Sequence, residues 1–227
     1  SNIYLPSCTI VGDLAFIRAN ISSISLPACT TIGQQAFRSI VNLKTVNIAA
    51  CATIGIYAFG DCSNLESIDL GSCTTIGSSA FQNCTKLVTL NPEKVTLINN
   101  LAFSNTGISM LSLPECSLIS TSAITYCSNL VSLSVPKLSQ VGLGGLASNN
   151  NLSKVVFPAL TSTGASFMTS CSNLREVYFY NLNTLGNYAF SNCINLTSLY
   201  LLGSTMVPLT SLKVFSGTPM RDYTAIA

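Results

Sequence analysis

The fold is decided by residues 21–86, which can be written as three lines of 22 residues: ISSISLPACTTIGQQAFRSIVN (21–42), LKTVNIAACATIGIYAFGDCSN (43–64) and LESIDLGSCTTIGSSAFQNCTK (65–86). Each line begins with Leu/Ile-x-x-φ-x-φ, where φ is an apolar residue. The pattern recurs along the chain as far as Leu196, although Pro92 takes its third apolar place in the line that starts at Leu87. A fixed period of this length is typical of a solenoid of stacked coils and not of a compact enzyme fold.

The positions within the repeat have separate physical roles. If the leading Leu or Ile is position 0, the apolar positions 3 and 5 alternate with outward positions 2 and 4, as in a short half-buried strand. Position 11 is usually apolar, and position 12 is usually Gly, which permits either a positive φ or close packing of neighbouring coils. Positions 15 and 16 are mostly Ala-Phe, a small residue for tight stacking and a large one that fills the coil. No coil buries its own apolar face, so its neighbours must supply the burial.

This repeat resembles the bacterial leucine-rich repeats called BspA-like, or Treponema pallidum type, with the approximate consensus L-x-x-I-x-L-P-x-x-L/C-x-x-I-G-x-x-A-F-x-x-C/N. Residues 24–37 and 65–84 follow that consensus closely. The resemblance implies a curved solenoid with a parallel β-sheet on its concave face and short strands, turns or 3₁₀ segments on its convex side. Such folds belong to the α/β class by convention but are mostly β and turn. We expect about nine to ten repeats of ~22 residues.

We expect one leucine-rich-repeat domain over residues 1–227. Residues 1–20 form a partial N-terminal repeat, residues 21–203 form the regular repeats, and residues 204–227 form an irregular C-terminal repeat with a truncated cap. The segment Phe215–Pro219 resembles the start of the closing segment seen in the family. The sequence therefore suggests a piece of a longer protein.

The composition argues against several classes of function. Charged residues make up 8% of the chain and the net charge is +2 with the lysines and arginines scattered, so there is no basic stripe for nucleic acid. Apolar residues make up 48% but are dispersed at fixed positions, without the continuous run of a membrane span. The chain has no histidine, the commonest general base. We therefore predict a protein that is not an enzyme and needs no cofactor.

The ten cysteines fall on positions 8 and 19 of the repeat. Other repeats mostly have apolar residues at position 8, such as Val95 and Leu138, which is typical of a buried packing position. We therefore expect free thiols and no regular disulfides, with a few adventitious bridges as the alternative because stacked coils bring cysteines close. Without histidine or a C-x-x-C pair, no metal site is expected.

The outward strand positions change character along the chain. Early repeats carry Ser, Thr, Asn and Asp there, whereas the late repeats supply our candidate ligand-binding residues: Lys154, Val156, Arg175, Glu176, Tyr178, Tyr180 and Tyr200. Tyr178 and Tyr200 share position 4 in adjacent repeats and should stack, while Tyr180 follows its strand. Exposed Tyr beside Arg concentrates binding energy at interfaces. The alternative interpretation is an aromatic ladder that only covers the sheet.

The resemblance implies a non-enzymatic adhesion or recognition module of a bacterial cell-surface or secreted protein. Its partner would be a host protein, a matrix component or a glycan, bound through the concave face. One alternative is a structural spacer that presents another domain, and another is a recognition module of a phage tail or fibre. We expect no nucleic-acid partner and no membrane insertion by this segment. Self-association through an open sheet edge remains a further expectation.

Overall fold

The computed structural model describes residues 1–203, 212–219 and 224–226 of the chain. The strands are, in chain order, β1 (Asn2–Tyr4), β2 (Ile10–Val11), β3 (Ser23–Ser25), β4 (Thr31–Ile32), β5 (Thr45–Asn47), β6 (Thr53–Ile54), β7 (Ser67–Asp69), β8 (Thr75–Ile76), β9 (Thr89–Leu90), β10 (Leu97–Ile98), β11 (Met110–Ser112), β12 (Leu118–Ile119), β13 (Ser132–Ser134), β14 (Gln140–Val141), β15 (Lys154–Phe157), β16 (Ser162–Thr163), β17 (Glu176–Phe179), β18 (Ser198–Leu202) and β19 (Thr224–Ile226). A 3₁₀ turn, Leu212–Phe215, precedes β19. The predicted C-terminal cap falls largely outside the described residues.

Each coil contributes one strand to a first parallel sheet that begins at β1. The register follows the repeat, since Ser23, Ile24 and Ser25 pair with Thr45, Val46 and Asn47 of the next coil. Position 3 is buried in β5 and β7 while positions 2 and 4 are open to solvent. The solenoid and its outward positions 2 and 4, both predicted from the period, are therefore confirmed. We call this surface the first-strand face.

Strand pairing is interrupted on one side of the coils and continuous on the other. On the first-strand face, hydrogen-bonded pairing is divided into a sheet of five strands (β1 to β9), a pair (β11 and β13) and a sheet of four strands (β15, β17, β18 and β19). On the second side, positions 10 and 11 form a single eight-stranded sheet from β2 to β16. The second sheet therefore runs without a break past both interruptions of the first.

Close packing of backbones explains the glycines of position 12. A Cβ atom built on Gly77 would lie 2.6 Å from the carbonyl oxygen of Ile54, and one on Gly55 would lie 2.6 Å from the carbonyl carbon of Gly33. Neither glycine has a positive φ. Of the two explanations that the sequence left open, the structure therefore supports close approach of neighbouring coils.

A third ladder of hydrogen bonds joins the coils between positions 14 and 18. The N–H groups of Gln35, Phe37 and Ser39 each donate to a carbonyl of the next coil at 2.8 Å. The ladder depends on a left-handed backbone at positions 14 and 18, with φ of 54° at Gln35 and 59° at Ser39. Between them the position-16 rings stack, with 5.3 Å between the centroids of Phe37 and Phe59. The packing role predicted for Ala-Phe is thereby confirmed.

The two cysteine columns are buried thiols that also donate hydrogen bonds. At position 19 the Cys62 thiol donates to the Phe37 carbonyl of the preceding coil at 3.1 Å, and at position 8 the Cys51 thiol donates to the Thr53 carbonyl at 3.2 Å. All ten cysteines are free in the structure, and every one except Cys8 is buried. Desolvation by burial raises the pKa of Cys51 and Cys62 to about 12, so these thiols are not nucleophilic at neutral pH.

Asn149 takes the place of cysteine at position 19 of its coil. Its side chain is fully buried. The amide donates to the carbonyls of Ile124 and Leu146, both at 2.9 Å, and its oxygen accepts from the Cys127 N–H at 3.1 Å. Position 19 therefore supplies a hydrogen-bond donor in most coils, although the buried Ile40 fills it in the coil of residues 21–42.

Candidate functional site

Four of the candidate residues come together at the C-terminal end of the first-strand face. Lys154 and Glu176 occupy position 2 of neighbouring strands, and their Nζ and Oε2 atoms lie 3.3 Å apart. The Tyr178 hydroxyl donates to the same Oε2 at 2.9 Å. The Tyr178 and Tyr200 rings are stacked, with centroids 4.3 Å apart and planes 11° from parallel. We call Lys154, Glu176, Tyr178 and Tyr200 the C-terminal cluster; the stacking that was predicted for the two tyrosines is confirmed.

The charged and polar groups of the C-terminal cluster interact with one another. The Lys154 ammonium lies 4.5 Å from the centroid of the Tyr178 ring, in cation–π range. Hydrogen bonds from Tyr178 and then Lys154 lower the pKa of Glu176, and the hydrogen bond to Glu176 raises the pKa of Lys154. Glu176 also raises the pKa of Tyr178, whose hydroxyl keeps its proton as the donor. Each of these shifts favours a charged Lys154, a charged Glu176 and a protonated Tyr178.

The other three candidate residues surround this cluster without joining its stack. Val156 is beside Tyr178 in the strand register and is 36% exposed. Arg175 precedes β17 and Tyr180 follows it, and both are exposed. Within the described part of the chain, neither makes an ion pair or a ring contact with the C-terminal cluster. They lie near opposite ends of the strand that carries Tyr178.

Sequence reasoning missed a feature in the middle of the first-strand face. Met110 occupies outward position 2, where neighbouring repeats have Thr89 and Ser132, and it is 71% exposed. It lies beside a depression of about 670 Å³, which is located where β9 and β11 fail to pair. A large apolar residue at an outward position of a Ser/Thr column was the signal available in the sequence. We call this feature the Met110 depression.

A second group that sequence reasoning missed lies on the ladder of positions 14–18. The Arg38 guanidinium is 4.5 Å from the centroid of the Tyr57 ring, and its Nε lies 3.2 Å from Asp61 Oδ2. Asn83 donates to Asp61 at 2.9 Å, and Asn105 donates to Asn83 at 2.9 Å. Since Asn and Asp tolerate the left-handed backbone of position 18, a structural role accounts for this ladder.

The described residues contain no group of three or more His, Cys, Asp or Glu that could hold a metal ion. In the same part of the chain, no helix has the length and apolar character needed to cross a bilayer. The arrangement on the first-strand face offers stacked aromatic rings, one matched ion pair and hydroxyl groups. These groups are of the kind that make contacts at protein interfaces.

The family follows from a comparison of the whole repeat pattern. The family model described as "BspA type Leucine rich repeat region (6 copies)" matches residues 9–131 and again residues 96–218. The chain belongs to this family. No curated protein matches the chain in sequence.

Solved structures share the solenoid at low sequence identity. The leucine-rich repeat protein of T. pallidum is 20% identical, with a TM-score of 0.58, and the match covers 77% of each chain. A leucine-rich cell surface protein from Faecalibacterium prausnitzii is 19% identical, with a TM-score of 0.47, over 95% of this chain and 77% of that one. A leucine-rich repeat protein from Bacteroides ovatus is 17% identical, with a TM-score of 0.47, over 97% and 76%. The T. pallidum likeness supports the BspA-type fold and no more than the fold.

Proposed function

We propose that this BspA-type chain is a non-enzymatic recognition module of a bacterial surface or secreted protein. It binds a host protein, a matrix component or a glycan through the C-terminal cluster on its first-strand face. The observation that carries the proposal is the preformed arrangement of Lys154, Glu176, Tyr178 and Tyr200 on an otherwise hydroxyl-rich surface. Aromatic rings that are held in place before binding lose little conformational entropy when a partner arrives.

The geometry of the stack favours a protein surface over a sugar ring as the ligand. Lys154 comes from the coil before Tyr178 and Tyr200 from the coil after it, so the two groups cover opposite faces of the Tyr178 ring. A sugar that stacks on an aromatic face would have to displace one of them. The ring edges and the exposed side of Val156 remain open to a partner. Contacts of this kind suit a protein or a protein matrix component.

Binding to arrays of matrix proteins and glycans tests the proposal. The parent chain is compared with a variant that carries Tyr178→Ser and Tyr200→Ser, and with a control, Tyr126→Asn. Tyr126 is 63% exposed and has φ of 56°, a backbone that Asn adopts readily. We expect the parent and the control to bind the same ligand and the double variant to lose at least about tenfold in affinity, as for a pair of interface aromatics.

Two results would contradict the proposal. If the folded double variant bound as tightly as the parent, the ligand would not contact the C-terminal cluster. If neither bound any member of the array, a spacer that presents another domain would be the better account. Thermal unfolding of each variant separates loss of a ligand from loss of the fold.

A further inference from the structure

Pro92 lies at the break in the first sheet that opens the Met110 depression. In several coils the N–H of position 5 donates to the position-4 carbonyl of the next coil, as from Leu26 to Asn47 at 2.9 Å and from Leu113 to Ser134 at 2.9 Å. Pro92 occupies position 5 of its coil and has no N–H, so the equivalent bond to Ser112 cannot form. The second sheet continues past this point, because Leu97 and Ile98 pair with both neighbouring strands. The coils therefore stay stacked while the first-strand face opens locally.

The opening uncovers apolar surface that other coils bury. The position-3 residues Ile68 and Leu111 on either side are buried, whereas Leu90 is partly exposed at the wall of the depression. Met110 adds a flexible thioether chain that is 71% exposed. Methionine adapts its shape to varied partners and is frequent at binding surfaces of that kind. The depression, of about 670 Å³, therefore offers adaptable apolar contacts from Leu90 and Met110 within a mixed polar and apolar lining.

The ionisable side chains that line the depression are both acidic. Glu115 is neutralised by Lys137, with Nζ 2.7 Å from Oε2. Glu93 is exposed and makes no ion pair with any residue that the structure describes. Asn91 and Ser112 add neutral acceptors at the rim. The lining thus combines apolar contacts from Leu90 and Met110 with one uncompensated carboxylate.

We propose that the Met110 depression is a second binding site, distinct from the C-terminal cluster, for a basic side chain in an extended segment of a partner protein. The long aliphatic stem of a lysine or arginine packs on Met110 and Leu90, and its charged end bonds to Glu93. Amphipathic cations of this shape match a site that offers two apolar side chains beside an exposed carboxylate. The site does not include Tyr178 or Tyr200, so it can be tested independently of the proposed function.

Fluorescence anisotropy with a short labelled peptide of alternating leucine and lysine tests this site, and a peptide of alternating leucine and glutamate serves as the comparison. The proteins are the parent chain, Met110→Ser, Glu93→Gln and a control, Glu66→Gln, which removes one exposed carboxylate elsewhere. We expect the parent and the control to bind the lysine peptide with a Kd below about 1 mM. Each of Met110→Ser and Glu93→Gln should weaken binding at least about fivefold.

The proposal is overturned if the parent does not bind the lysine peptide at that concentration or binds the glutamate peptide equally well. Equal losses of affinity in Glu93→Gln and Glu66→Gln would show that the peptide is attracted by the negative charge of the protein as a whole. That result would also overturn the proposal. Because Met110 and Glu93 are exposed, both variants should keep the thermal unfolding of the parent. Retained binding by a Tyr178→Ser and Tyr200→Ser variant would confirm that this site and the C-terminal cluster are separate.

Discussion

The two sheets of the solenoid differ in how much interruption of strand pairing and how much side-chain variation they contain. The second sheet uses two residues per strand, continues from β2 to β16, and has glycine at position 12 in most coils, where the backbones of neighbouring coils nearly touch. The first sheet is interrupted twice, and its outward positions vary from serine to tyrosine. One side of the coil therefore keeps the stack together, which leaves the other side free to change its shape and chemistry. Binding surfaces can vary here at little cost to stability.

Alkaline pH should have the largest effect, since it acts on the core that both sheets share. Burial raises the pKa of Cys51, Cys62 and Cys193 to about 12, from an ordinary value of 9.0. Between those values the unfolded chain binds fewer protons than the folded chain, so the free energy of unfolding falls as pH rises. We expect a loss of several kcal/mol between about pH 8.5 and 11, as measured by urea unfolding.

A cysteine variant isolates the thiol contribution to this loss. Cys51→Val keeps an apolar group at position 8 but removes one titrating thiol. Its stability should decline less steeply, by up to about 1.4 kcal/mol per pH unit between the two pKa values. An identical decline in the parent and the variant would mean that other groups cause the alkaline unfolding.

A substitution at position 12 should break the second sheet. A Cβ atom on Gly77 would lie 2.6 Å from the Ile54 carbonyl oxygen, so Gly77→Ala forces two coils apart. We expect a loss of about 3 kcal/mol in urea or thermal unfolding. Gly12 occupies the same position in the first coil and its Cβ would contact nothing within 4 Å, so Gly12→Ala is the matched control. Similar losses in both variants would refute the close-packing explanation.

The buried amide of Asn149 should be replaced at lower cost by another donor than by an apolar residue, although Ile40 fills position 19 in another coil. Asn149→Leu leaves the Ile124 and Leu146 carbonyls and the Cys127 N–H without their present partner. We expect this variant to lose about 3 kcal/mol of stability. Asn149→Cys restores the thiol that other coils use at position 19 and should lose less than half as much. If Leu and Cys were equally tolerated, position 19 would be a simple packing position.

Substitutions at positions with a left-handed backbone should give the smallest changes in stability. Introducing a glycine and removing a glycine there should act in opposite directions. Ser148 has φ of 59°, and Ser148→Gly should stabilise the chain by about 0.5 kcal/mol because glycine adopts this backbone without strain. Gly144 has φ of 58° and open space of 3.6 Å or more around its Cβ position. Gly144→Ala should therefore destabilise the chain by about 1 kcal/mol through backbone strain alone. Thermal unfolding measures both; shifts of the same sign would contradict this account of the ladder.

The period of the sequence was enough to place the strands of the first-strand face and the stacking of Tyr178 on Tyr200. Periodicity identifies which positions repeat, but it does not show which contacts between coils make a residue type necessary. Position 12 could be read in two ways until the Gly77 backbone contact was known. The left-handed ladder had no signature, because its positions hold residues as different as Leu101 and Ser122. Pro92 lies at one break of the first sheet, but its place in the repeat alone did not predict that break, and the gap between β13 and β15 has no comparable residue.

Hydrogen exchange measured by mass spectrometry tests the contrast between the two sheets most directly. We predict slow exchange of the second-sheet segments around β8, β10 and β12. Residues 88–93 and 108–112 on the first-strand face of the same coils should exchange faster than residues 66–70, where pairing is intact. Pro92→Val, which restores an N–H at the break, should slow that exchange. Uniform protection of both sheets across the break, unchanged in Pro92→Val, would contradict the account.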